Sequence, residues 1–363
     1  MRQVPHQDFA EAVLAELQAR ARSLQGPREL SSVYIGGGTP SLWDPLAVGS
    51  VLSAVKAALN GRAVEATLEC NPSGLTQTRL EGLLASGINR LSIGVQSLRG
   101  DRLRWLGRTH GPREAAQAVQ LAVRVGFHHV SADLLFGLPG QPVCEVVADA
   151  RCLVDLGVDH LSAYELTLEK TTPLGRWAKR APHETAGENA VLRTYAALER
   201  AMKEAGLEHY EVSNYARPGC RSIHNVGYWR GQDYVGLGPG ACGTLSCEST
   251  VRYRNTASWE VYRSTGWRSS DLARAGPDLP QVEREVLDPE CRFRERLMLG
   301  LRLKEGIDVS AAATELGVVA WTPERRAALE RWLARGGLCW QGRQLCIPHN
   351  SWRIADAIIA DVA

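Results

Sequence analysis

Short apolar runs alternate with stretches of helical periodicity along the first half of the chain. Val33-Tyr34-Ile35 runs into Gly36-Gly37-Gly38-Thr39-Pro40-Ser41, and Ala66-Thr67-Leu68 ends in Glu69-Cys70-Asn71-Pro72. Arg90-Leu91-Ser92-Ile93 ends in Gly94-Val95-Gln96-Ser97. Val130-Ser131-Ala132 leads to Asp133 and then Leu134-Leu135-Phe136-Gly137-Leu138-Pro139. His160-Leu161-Ser162-Ala163-Tyr164 passes into Glu165-Leu166-Thr167. Between these runs, residues 46–59, 78–85, 114–125 and 143–156 carry apolar positions at helical spacing. Strand–helix alternation of this kind predicts a parallel sheet covered by helices.

Each strand is apolar and finishes in one or two polar residues. In a parallel barrel those ends meet at one face, the face where such folds bind ligands. The triple glycine leaves backbone N–H and C=O groups open to close approach. Alone it is a weak signal, since a tight turn has the same composition. No Gly-Lys-Ser/Thr closes it into a phosphate loop, and it is not Gly-x-Gly-x-x-Gly. Five strand ends carrying polar groups together favour a binding site over isolated buried hydrogen bonders.

The amphipathic run Phe9-Ala10-Glu11-Ala12-Val13-Leu14-Ala15-Glu16-Leu17 precedes any strand, so the chain reads as starting after a first barrel strand. Beyond the fifth strand come a helix at 189–205, a strand near 208–212, and a polar, Gly-rich run with aromatics from His224 to Ala241, read as a loop. Residues 268–290 are charged, contain Pro277 and Pro280, and read as a linker. Helices from 295, 310 and 323, a hairpin around Gly342 and a last helix at 352–362 resemble a winged helix. The expected architecture is α/β: an incomplete (βα)6 TIM-like barrel over 1–267, a linker over 268–290 and a winged-helix-like α+β domain over 291–363.

Composition narrows the function. The 363 residues are 44% hydrophobic with a formal net charge of +2, enough for a real core and without the basic excess of a nucleic-acid binder. No stretch has the uninterrupted apolar length of a spanning helix, and the opening residues lack the apolar core of a signal peptide. A cytoplasmic protein is expected, associated with membranes at most through partners. Its nine cysteines, at 70, 144, 152, 220, 242, 247, 291, 339 and 346, then read as free thiols or ligands rather than a disulfide framework. No Cys-x-x-Cys, His-Glu-x-x-His or Gly-x-Ser-x-Gly occurs.

The motifs Gly36-Gly37-Gly38-Thr39-Pro40-Ser41, Glu69-x-Asn71-Pro72, Gly94-Val95-Gln96-Ser97, Gly107-Arg108-Thr109-His110 and Asp133-x-x-x-Gly137-Leu138-Pro139 follow one another in an informative order. Through them the chain resembles radical S-adenosylmethionine proteins of the oxygen-independent coproporphyrinogen oxidase type, and within these the HemW family of haem chaperones. The resemblance implies that Gly37, Gly38 and Thr39 meet the amino acid end of S-adenosylmethionine. It implies that Glu69, Gln96, Arg108, Asp133 and Thr167 line the same site, with Asp133 on the ribose and Arg108 on the carboxylate. His224-Asn225-x-x-Tyr228-Trp229 resembles the haem-chaperone signature. A neutral imidazole can ligate haem iron and the aromatic rings can pack on a porphyrin. His224 is thus a candidate iron ligand, against a structural loop histidine.

Two departures from the family stand out. Its Cys-x-x-x-Cys-x-x-Cys, which holds a [4Fe–4S] cluster, is absent from these residues, which begin where the family's cluster loop ends. Cys242 stands where the family generally has a histidine, either as a thiolate ligand or as filling. Three functions compete: a chaperone that binds haem and S-adenosylmethionine and delivers haem to respiratory haem proteins, a coproporphyrinogen III oxidase, and a cluster-less pseudoenzyme.

Overall fold

The computed structural model describes residues 6–24, 29–61, 64–169, 171–180, 186–246, 249–265 and 282–363. The chain begins with α1 (His6–Ser23), β1 (Ser32–Ile35) and α2 (Pro45–Ala58). Strands and helices then alternate through β2 (Glu65–Cys70), α3 (Gln77–Ala85), β3 (Arg90–Gln96), α4 (Gly100–Trp105) and α5 (Pro112–Val125). They continue through β4 (His129–Phe136), α6 (Val143–Asp155) and β5 (His160–Glu165). Helices α7 (Pro173–Arg180) and α8 (Glu188–Glu204) lead to a hairpin of β6 (Glu208–Glu211) and β7 (Asn214–Ala216). Next come α9 (Ile223–Trp229), β8 (Cys242–Ser246), β9 (Thr250–Asn255), α10 (Trp259–Ser264) and β10 (Val282–Leu287). Last are α11 (Pro289–Gly300), α12 (Val309–Leu316), α13 (Pro323–Ala334), β11 (Cys339–Gln341), β12 (Gln344–Cys346) and α14 (Ala355–Val362).

Seven strands form one sheet in the order β1-β2-β3-β4-β5-β7-β6. The pairs β2·β3, β3·β4 and β4·β5 are parallel, as the alternation predicts. Strand β7 lies antiparallel between β5 and β6. The sheet's edges are β1 and β6, so it stays open, consistent with an incomplete barrel. The helices start where the sequence supplies caps. The Asp44 carboxylate accepts the Leu46 and Ala47 amides (2.9 and 3.3 Å) ahead of Pro45, and Thr76 caps α3.

Packing groups the chain into two compact units. One comprises Tyr34–Leu42 and Ala66–Ser222. Its core holds Leu68, Leu91, Ile93, Ala132, Leu134 and Leu161, all buried on the strands. The other comprises Met1–Val33, Trp43–Glu65 and Ile223–Ala363. There Ala10, Val13 and Leu17 of α1 pack on Ala47, Val51 and Val55 of α2. Glu16, fully buried on α1, accepts hydrogen bonds from Arg20, Asn255, Tyr262 and the Gly238 amide, fixing the Gly-rich segment to this helix.

Two expectations are corrected. Residues 282–287, read as linker, form β10, paired antiparallel with β9 from Val282↔Asn255 to Leu287↔Thr250, and α11 starts at Pro289. The charges that suggested a linker belong to an edge strand, where charge discourages further pairing. Residues 268–281 lie outside the described residues. The run read as a loop from His224 to Ala241 begins instead with α9, and the β8–β9 hairpin follows it, where the sequence suggested no element. Further on, helices followed by the β11–β12 hairpin match the expected order, with Ile307 pairing to Leu345 beside the hairpin.

Candidate functional site

Along the carboxyl ends of the parallel strands, Glu69 organises the glycine loop. Its carboxylate accepts the Tyr34 hydroxyl at 2.7 Å and the Gly37 amide at 3.0 Å. A Cβ on Gly36 would meet the Tyr34 ring at 2.7 Å and the Glu69 carboxyl at 3.0 Å, so only glycine fits there. Gly37 and Gly38 take φ of 82° and 69° and have nothing within 4 Å of a Cβ position. They leave an uncovered stretch of backbone, next to the half-buried Thr39.

Gln96 ends β3 with φ of 65°, one of two non-glycine residues in the left-handed region among the described residues. Such a conformation costs about 1–3 kcal/mol and is held only where neighbours enforce it. The enforcing contacts follow at once. Asp149 accepts the Ser97 hydroxyl at 2.9 Å, the Leu98 amide at 2.8 Å and Arg99 Nε at 3.1 Å, while His110 Nε2 lies 3.1 Å from the Val95 carbonyl. The Gln96 amide folds back over Gly94, where a Cβ would come within 3.0 Å of it.

On β4, Asp133 accepts the Ser92 hydroxyl on both oxygens (3.1 and 3.2 Å) and is bonded by Ser162. Burial pushes its carboxyl up to about 6; the Ser162 and Ser92 bonds oppose this, Glu69 adds to it, and the Arg108 charge lowers it. Glu69 and Asp133 in turn raise the Tyr34 hydroxyl above its ordinary range, after desolvation. Asp133 therefore shares one electrostatic environment with Tyr34, Glu69 and Arg108. Arg108 itself is exposed, and Thr167 is exposed two residues beyond β5.

In the other unit, α9 carries the second motif. The Glu65 carboxylate caps its start, accepting the Ile223 and His224 amides at 3.1 and 3.0 Å. His224 Nδ1 lies 3.2 Å from the Ser32 hydroxyl, and burial lowers its pKa against the opposing Glu65 charge, so the imidazole is neutral at physiological pH. The His224 and Tyr228 rings are 5.5 Å apart, and Tyr228 contacts Tyr234 at 4.5 Å. Burial, then Tyr234 and Cys242, raise the Tyr228 hydroxyl above its ordinary range, and the Cys242 thiol is exposed. Trp229 leaves by a different face, as five residues along a helix require. It lines a cavity of about 410 Å³ with Arg296, Gly300, Leu303 and Ile307, under the Arg302 guanidinium at 5.7 Å. Its indole N–H is buried with no hydrogen-bond partner among the described residues. His224 and Tyr228 thus come together, and Trp229 stands apart from them.

Five groups shaping these sites escaped the sequence reading: Tyr34, Ser92, Ser162, Ser32 and Glu65. The available signal was a polar residue inside an otherwise apolar strand. Glu65→Ala should destabilise the protein by about 1–3 kcal/mol, because two helix-start amides lose their acceptor. A urea midpoint equal to that of the unchanged chain would show that the cap contributes nothing.

Residues 4–153 match the radical SAM superfamily, and residues 287–352 match the HemN C-terminal domain. The heme chaperone HemW of Mycobacterium tuberculosis is 33% identical over 349 residues, 96% of this chain and 84% of the relative. The chain belongs to the HemW family of radical S-adenosylmethionine proteins. Another member, the heme chaperone HemW of Escherichia coli, is 38% identical over 67% of this chain and 64% of its own length. The mitochondrial radical S-adenosyl methionine domain-containing protein 1 of Danio rerio is 35% identical over 83% of this chain and 67% of its own. Coproporphyrinogen III oxidase (HemN) from Escherichia coli shares the fold, with a TM-score of 0.78 at 18% identity over 100% of this chain and 84% of that one.

The family implies S-adenosylmethionine and a [4Fe–4S] cluster. The uncovered Gly37–Gly38 backbone and the serine-held Asp133 fit the former. The described cysteines do not fit the latter: they lie on β2, α6, β8, α11, β11, β12 and the loop after β7. Cys70, on the large sheet, is buried with its thiol pushed up to about 12. No helix among the described residues is long and apolar enough to cross a membrane.

Proposed function

We propose that the protein is a haem chaperone that binds haem on the His224–Tyr228 face of α9 and passes it to respiratory haem proteins in the cytoplasm or at the membrane surface. The observation that carries this reading is a neutral, oriented imidazole beside a tyrosine pair within the His-Asn-x-x-Tyr-Trp signature, in a chain one-third identical to curated haem chaperones along 96% of its length. Neutral imidazole is a common haem-iron ligand, and the Ser32 hydroxyl beside Nδ1 orients the ring so that Nε2 is the nitrogen left for a ligand role. Asn225 shares the helix face of Trp229 and supports the site from that side.

S-adenosylmethionine is assigned to the strand ends. Gly37, Gly38 and Thr39 offer backbone and hydroxyl groups to its amino acid end, Arg108 faces its carboxylate, and Asp133 accepts the ribose hydroxyls. Glu69 acts chiefly through the glycine loop that it ties down. Gln96 and Thr167 complete the adenosine side. When bound with a cluster, this cofactor supplies radical chemistry.

The test is a haem titration of the chain followed by mixing with a haem-free acceptor protein. Stoichiometric binding and transfer to the acceptor are expected. Failure to bind haem, with decarboxylation of coproporphyrinogen by the protein, would favour the oxidase reading instead.

A further inference from the structure

At the amino ends of β4 and β5, opposite in strand direction to Asp133, three metal-ligating side chains converge. His129 opens β4, Asp159 immediately precedes β5, and Cys220 sits on the loop after β7. One donor atom from each lies within 4.8 Å of the other two, and all three side chains are half-buried. This is the only such trio among the described residues. Sequence spacing does not announce it, because the ligands come from three separate segments.

We infer that His129, Asp159 and Cys220 form a binding site for a divalent, borderline-soft cation such as zinc. One imidazole nitrogen, one carboxylate oxygen and one thiolate are a donor set zinc takes, and three protein ligands leave a fourth position for water. The surroundings hold the ligands in place. His129 Nδ1 and Asp159 Oδ2 are 2.6 Å apart, and the other Asp159 oxygen accepts the Val130 amide at 3.1 Å. The Asp159 carbonyl accepts the Arg217 amide at 2.9 Å, the Arg217 carbonyl accepts the Cys220 amide at 2.9 Å, and Arg90 Nη1 donates to the Cys220 carbonyl at 3.1 Å. Such outer contacts orient ligands at metal sites. The Arg90 and Arg217 charges oppose a cation but also favour the thiolate, which burial and Asp159 otherwise disfavour. Binding releases the Cys220 proton to solvent and leaves the thiolate on the metal, with no change of oxidation state. A cation there ties the loop that continues into α9 to the starts of two central strands.

The test uses the full chain, stripped of metal by a chelator, and cobalt(II) as the spectroscopic probe. One equivalent should produce a thiolate-to-cobalt charge-transfer band in the near ultraviolet, displaced by zinc. His129→Gln should weaken binding at least about tenfold, the scale on which even an outer contact matters, and Cys220→Ser should remove the band. In the unchanged chain, zinc should protect Cys220 from alkylation, read by mass spectrometry, and leave exposed Cys144 reactive. That measurement does not depend on a variant folding. Absence of the band, its persistence in Cys220→Ser, or equal alkylation of Cys220 with and without zinc would overturn the site.

Discussion

His224→Ala should shift the absorbance spectrum of bound haem and lower haem affinity at least about tenfold, about 1.4 kcal/mol. On the proposed haem site, removing the imidazole takes away the iron ligand, while the Tyr228–Tyr234 pair is left to pack on the porphyrin. Ser32→Ala should act in the same direction but more weakly, because it releases only the hydroxyl 3.2 Å from His224 Nδ1. Trp229→Ala should weaken binding with little spectral change, since its ring lines a cavity on another face of α9 and contributes packing rather than a ligand atom. Cys242→Ala separates the competing ligand: if it alone moves the spectrum, the thiolate holds iron and the imidazole does not. Unchanged spectra and affinity in both His224→Ala and Trp229→Ala would remove the motif from haem binding altogether.

The strand ends were legible because period-two burial and terminal polar residues survive any tertiary context. Ile93 and Leu134 are buried and Gln96 ends β3, whereas Asp133 lies inside β4, which runs on to Phe136 beyond the apolar run that stops at Ala132. Helix α9 was not legible because the acceptor of its first amides is Glu65, 158 residues away from Ile223. The β8–β9 hairpin was hidden differently. Val251, Tyr253 and Asn255 alternate with Arg252 and Arg254 as a half-buried strand should, but this stretch lies between the Gly-rich run ending at Ala241 and the charged run from 268 and suggested no element by itself. The serines around Asp133 were unreadable for a third reason. A hydroxyl within an apolar strand is ordinary, and only the fold shows that Ser92 and Ser162 converge on one carboxylate. The metal trio shares this property: His129, Asp159 and Cys220 become neighbours only through the sheet.

S-adenosylmethionine affinity should fall as pH drops below about 6, and Asp133→Asn should be weak and nearly flat over the same range. The Asp133 carboxyl is pushed up to about 6 by desolvation, beyond what its serine bonds offset. A carboxylate accepting two ribose hydroxyls must be ionised, so protonation removes the acceptor the ligand requires. Charge-assisted hydrogen bonds contribute about 1.5–3 kcal/mol, which makes the expected loss in Asp133→Asn roughly 10- to 100-fold at neutral pH. Folding stability carries the opposite sign. Between the ordinary carboxyl value near 4 and about 6, the folded chain holds more protons at this group than the unfolded chain, so its contribution to stability is present at low pH and lost as pH rises through 6. Asp133→Asn should therefore abolish that decline while weakening the ligand. Calorimetric binding curves and urea midpoints at pH 5, 6, 7 and 8 read the two effects separately, at roughly one-unit steps around the shifted value. A ligand affinity independent of pH in the unchanged chain, or wild-type affinity in Asp133→Asn, would take the ribose away from this residue.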